Sequence, residues 1–122
     1  MGHGCVAEAF LRPSTVLMNG QPVSSCFLLA VRSVEKEITT LEGLGDGEKL
    51  HFIQEAFVQE RALQCGYCTP GFVLAVKALL DEIPNPSDGE IKEYLAGNLC
   101  RCAGYGEILR AVHVALEKKA PL

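Results

Sequence analysis

Two cysteine pairs carry the chemistry in this chain: Cys65 and Cys68 in "QCGYCTPG", and Cys100 and Cys102 in "NLCRCAG". Four thiolates brought to one point suit zinc or an iron–sulfur cluster, because the metal's positive charge offsets the cost of gathering four anions. Cys100 and Cys102 are too close in sequence to bridge as a disulfide without strain. Zinc sites usually join two C-x2-C knuckles or recruit histidine, and no histidine lies beside either pair. His3, His51 and His113 fall at the N-terminus, at a helix start and on a helix face. The C-x-C half therefore tips the reading toward iron–sulfur, with zinc and a redox dithiol as the alternatives.

The elements that must position these sulfurs are helices. "LHFIQEAFVQERAL" places Phe52, Ala56 and Val58 or Gln59 around a mixed face, and the stretch from Gly71 sets Phe72, Val76, Leu79 and Leu80 at helical spacing. Ser87 and Glu90 stand in capping-box relation ahead of a stripe of Ile91, Tyr94 and Leu95, which Gly97 ends. A last helix from about Tyr105 to Lys118 buries Ile108, Val112, Ala115 and Leu116. The C-x2-C pair joins the first helix to the second and the C-x-C pair joins the third to the fourth. Antiparallel packing then carries both loops to one end.

Ahead of these helices the sequence is β-rich. In "TVLMNGQPVSSC" two apolar runs flank Asn19-Gly20, the dipeptide of a tight hairpin turn. "CFLLAV" and "EITTLEG" are further strand candidates. These readings predict an α+β chain with strands in 1–43, a glycine-rich linker at 44–50 and a helical domain over 51–122. Three or four short strands make a thin core, so the first part reads as an incomplete domain.

Composition narrows the functions. The 122 residues are 48% hydrophobic and 21% charged, as in a globular chain. A net charge of −4 with scattered Lys and Arg offers no basic stripe for nucleic acid. "CFLLAVRSV" is too short to span a membrane, and the N-terminus shows no signal peptide, so a cytoplasmic address is expected. There six cysteines serve more often as ligands or catalysts than as disulfides. No nucleophile–base set or phosphate loop stands out, and "GLGDGE" lacks the lysine of a P-loop.

"LQCGYCTPGF" followed by "NPSDGEIKEYLAGNLCRCAGY" resembles the helical domain of the small iron–sulfur subunit of molybdenum hydroxylases, the group of xanthine dehydrogenase, aldehyde oxidoreductase and carbon monoxide dehydrogenase. The resemblance runs from about Thr15 to Val114. It implies a four-helix domain holding a [2Fe-2S] cluster on Cys65, Cys68, Cys100 and Cys102. It further implies a large molybdopterin-binding partner, an FAD-binding partner, and electrons passing from pterin through the cluster toward flavin. By position, Gln64 and Cys102 match the residues such subunits place against the pterin. A free-standing helical ferredoxin is the minor alternative, disfavoured because that family has its C-x-C pair first.

The match has a gap. Such subunits normally begin with a β-grasp, plant-type ferredoxin domain, whose second cluster uses C-x4-C-x2-C and a fourth cysteine after the hairpin. Cys26 matches the fourth ligand, but the three earlier positions fall on Ser14, Leu11 and Val6, with Cys5 one residue out of register. The β part therefore reads as a truncated β-grasp remnant. A single cluster is expected, with Cys5 and Cys26 as ordinary thiols. A shortened chain, a subunit that lost its outer cluster and a half supplied by another polypeptide all fit this pattern.

Overall fold

The computed structural model describes residues 15–100, 102 and 104–119, so the expectations for His3, Cys5, Val6, Leu11 and Ser14 lie outside the described residues. Strands β1 (Thr15–Met18) and β2 (Gln21–Ser24) form the hairpin read from Asn19-Gly20, with Leu17 facing Pro22 and Met18 facing Gln21. Asn19 and Gly20 take φ of 51° and 81°, which this dipeptide tolerates where other residues resist. Asn19 also ties in the third strand: its N–H donates to the Glu37 carbonyl and its Oδ1 accepts from the Glu37 N–H, at 2.8 and 2.9 Å. Strand β3 (Ile38–Thr39) pairs antiparallel with the other edge of β1, giving the order β2-β1-β3.

The stretch "CFLLAV" is not a strand. It forms short 3₁₀ turns at Ser25–Phe27 and Ala30–Ser33, and Phe27, Leu29, Val31 and Val34 are exposed. β1 has β2 on one edge and β3 on the other, and this segment joins neither outer edge of that sheet. Its backbone instead closes local bonds, Leu28 N–H to Ser25 O and Arg32 N–H to Leu29 O. "EITTLEG" is a strand only over Ile38–Thr39 before a 3₁₀ turn at Leu41–Gly43.

Four helices follow: α1 (Phe52–Gln59), α2 (Thr69–Glu82), α3 (Asp88–Leu95) and α4 (Tyr105–Lys119). Helix α2 is the centre of the core and buries ten residues, from Pro70 to Leu80. A helix apolar on most sides must be covered on most sides. α1, α3 and α4 pack around it, and β1 lays Leu17 on Leu74 and Ala78. In α1 the buried residues are Ile53, Ala56 and Phe57, at the i, i+3, i+4 spacing of one face; Phe52 is half-buried and Val58 is 59% exposed, contrary to the face expected. The predicted capping box forms at α3, where Ser87 Oγ accepts from Glu90 N–H and Glu90 Oε2 accepts from Ser87 N–H. α4 buries Ile108, Ala111, Val112 and Ala115 and leaves Leu116 half-buried.

Candidate metal centre

The loop between α1 and α2 and the loop between α3 and α4 meet at one end of the helices. There Cys65, Cys68, Cys100 and Cys102 line one small cavity, together with Arg61, Gln64, Gly66, Gly104 and Glu107. Each sulfur is placed by a chain break. Gly66 turns the first loop at φ 81°, and Cys68 is the N-cap of α2, its carbonyl accepting from Phe72 N–H at 3.2 Å. In the second loop Gly104 N–H donates to Cys100 Sγ at 3.4 Å, while the Gly104 carbonyl accepts from Ile108 N–H at 3.0 Å in the first turn of α4.

Two contacts join the arms. Gln64 Nε2 donates to the Cys102 carbonyl at 3.3 Å. Tyr105 meets Phe72 edge-on, with centroids 6.4 Å apart at 77°, and its hydroxyl oxygen accepts from the Cys100 N–H at 2.8 Å. Tyr105 thus links the C-x-C loop to the first turn beyond Cys68, a role the sequence did not reveal. An apolar groove of about 410 Å³, lined by Phe72, Leu95, Asn98, Leu99, Tyr105 and Ile108, opens alongside. Leu63, Tyr67, Leu99 and Tyr105, all neighbours of the cysteines in sequence, are exposed large hydrophobics.

The electrostatics favour a cation. Burial, then the hydrogen bond and charge of Cys100 and the charge of Cys65, push the Cys68 thiol up to about 12. Such a thiol keeps its proton at neutral pH until a metal's positive charge takes the proton's place. Among the described residues no three His, Cys, Asp or Glu side chains sit at the spacing of a single bound ion. The donor set fits a [2Fe-2S] cluster: four thiols outside any disulfide, from two loops on one cavity, with an amide N–H directed at one sulfur. Thr69 Oγ1, in the residue after Cys68, is buried without a hydrogen-bond partner. Cys26 is not among the lining residues and lies 3.5 Å from Ser24 Oγ.

Residues 40–113 match the family described as the [2Fe-2S] binding domain. The chain is 47% identical over 118 residues to the nicotinate dehydrogenase small FeS subunit of Eubacterium barkeri, covering 97% of this chain and 74% of that one. The chain belongs to the [2Fe-2S] small subunits of the molybdenum hydroxylases. It is also 48% identical over 98 residues to the nicotine 6-hydroxylase small subunit of Paenarthrobacter nicotinovorans, covering 80% of this chain and 59% of that one. Quinoline 2-oxidoreductase from Pseudomonas putida 86 superposes with a TM-score of 0.79 at 41% identity, over 88% of this chain and 69% of that chain. Aldehyde oxidoreductase from Desulfovibrio desulfuricans superposes with a TM-score of 0.85 at 38% identity, over 97% of this chain and 13% of that much longer one. As a member of this family the protein binds a [2Fe-2S] cluster and serves electron transfer, as the two cysteine motifs implied. The zinc and free-standing ferredoxin alternatives give way to this reading.

Arg61 also escaped the sequence reading. Helix α1 ends in a Schellman motif, with Ala62 N–H on Phe57 O at 2.9 Å and Arg61 N–H on Val58 O at 3.1 Å. That motif places residue 61 in the left-handed conformation, φ 53°, where glycine is usual. An arginine there carries roughly 1 kcal/mol of strain. "QERALQ" contains no glycine, so nothing in it announced the helix end.

Proposed function

We propose that Cys65, Cys68, Cys100 and Cys102 hold the [2Fe-2S] cluster, and that the protein carries electrons from a molybdopterin centre in a large partner toward flavin in another. The observation that carries this reading is the convergence of all four thiols, from two loops far apart in sequence, on one cavity. When bound, the cluster supplies a one-electron carrier. The protein's own part is to hold the four sulfurs, to keep the buried side of the site dry through Phe72 and Ile108, and to direct the Gly104 N–H toward Cys100 Sγ. The apolar residues Leu63, Tyr67, Leu99 and Tyr105 give the exposed side of this end the character of a surface that a partner covers.

Gln64 and Cys102 form the face we assign to the pterin. Their mutual hydrogen bond engages one amide proton of Gln64 and leaves the rest of its donor and acceptor capacity for a ligand. We place the substrate, which reacts in the partner, among N-heteroaromatic acids and bases, on the strength of the nicotinate, nicotine and quinoline enzymes that the chain resembles. We also assign this chain one cluster and a reducing, cytoplasmic setting suited to described cysteines that form no disulfide. No helix among the described residues is long and apolar enough to cross a membrane. Isolation from the native source tests the assembly: a molybdenum-containing large chain and a flavin-containing chain are expected to co-purify. Absence of a molybdenum partner would overturn the proposal.

A further inference from the structure

We propose that Arg61 is a charge that sets the potential of the site, a cation held in a strained backbone conformation so that it stands beside the four cysteines and favours the reduced cluster. The inference rests on the four-cysteine reading above and adds a residue to it. Arg61 lines the same cavity as all four thiols. The other charged residue among the described lining residues, Glu107, is paired with Arg110 at 3.1 Å, and Arg110 also reaches Glu60 at 3.7 Å. Both nearby carboxylates are thus matched by Arg110, while Arg61 forms no ion pair among the described residues. Reduction adds a negative charge to a site whose thiolates are already negative. A positive charge without an ion-pair partner among the described residues, carried by a residue that lines the cavity, lowers the energy of that state more than of the oxidised one.

The backbone supplies the second observation. At the position that closes the Schellman motif of α1, glycine would satisfy the same two hydrogen bonds without strain. Retaining arginine there costs stability and yields no ion pair within the described structure, which is how strain at a functional position presents itself.

The test is a redox titration of the cluster-loaded protein in the complex in which it is isolated, followed by electron paramagnetic resonance. The signal is assigned to this chain by its loss in Cys68→Ser. Wild type, Arg61→Gly and Arg61→Lys are compared at low and high salt, with thermal midpoints recorded alongside. Poised at the wild-type midpoint potential and low salt, Arg61→Gly is expected to show a reduced-to-oxidised ratio about threefold lower. Its thermal midpoint is expected to rise, because glycine relieves the strain. Arg61→Lys keeps the wild-type ratio, and the glycine effect shrinks at high salt because Arg61 is exposed. An unchanged or raised ratio in Arg61→Gly, or a lysine variant that shifts as far as glycine, would overturn the inference. Wild type with no cluster signal would sink the four-cysteine reading itself, and the inference with it.

Discussion

The side-chain amide of Gln64 donates to the backbone carbonyl of Cys102, across 38 residues of sequence and from one cysteine loop to the other. The two positions assigned to the pterin are therefore in contact, and the bond between them fixes the distance between the loops. Gln64→Ala removes it and is expected to cost about 0.5–1.5 kcal/mol, read as a lower denaturant midpoint with unchanged slope. If Gln64 also faces the pterin, the same variant slows cluster reduction by substrate in rapid-mixing experiments. Unchanged kinetics would confine Gln64 to the structural role.

Tyr105 makes the other bridge. Tyr105→Phe keeps the ring against Phe72 and removes only the oxygen that accepts from the Cys100 N–H. The lost hydrogen bond is expected to cost about 0.5–1.5 kcal/mol. Because the loss falls on a ligand loop, bleaching of the visible spectrum by an iron chelator is expected to accelerate. A bleaching rate equal to wild type would show that the hydroxyl does not hold the loop.

His51 caps α1, its Nδ1 accepting from Ile53 N–H at 3.4 Å while Gln54 Oε1 accepts from His51 N–H at 2.8 Å. Burial, aided by the positive charge of Lys77 and opposed by Asp81, lowers its pKa below the ordinary 6.5. A lowered histidine pKa means that the unfolded chain binds the proton more tightly. Stability from this residue is complete above pH 6.5 and falls as pH drops from there through the lower folded value. Protonation also removes the lone pair that caps the helix. His51→Asn keeps a capping acceptor and does not titrate, so its thermal midpoint is expected to decline less than wild type between about pH 7 and about pH 5.5. Parallel declines in the two proteins would remove His51 as the cause.

Local signals made much of this architecture legible. Asn19-Gly20 has few conformations open to it other than a hairpin turn, and Ser87 with Glu90 satisfies its own helix start, so both were readable without tertiary knowledge. The cysteine spacing, set between helical stretches, placed all four sulfurs at one end. What escaped depends on neighbours far away in sequence. Phe27, Leu29 and Val31 have strand-like side chains, yet their segment joins neither outer edge of the β2-β1-β3 sheet and they stay exposed. The buried face of α1 turned on Phe57 and Ile53 meeting α2 and α4, which its mixed composition did not settle. Arg61 takes a conformation that its residue type disfavours, dictated by the hydrogen bonds of the helix it ends.

The central claim is that these four cysteines, and not Cys26, carry the cluster. Its most direct test is iron and acid-labile sulfide analysis with the visible spectrum, on wild type and on Cys→Ser variants at positions 26, 65, 68, 100 and 102. The account predicts about two iron and two sulfide per chain in wild type and in Cys26→Ser, with the cluster lost or its spectrum altered in each of the other four. Cluster loss confined to Cys26→Ser, or a colourless zinc-containing wild type, would contradict it.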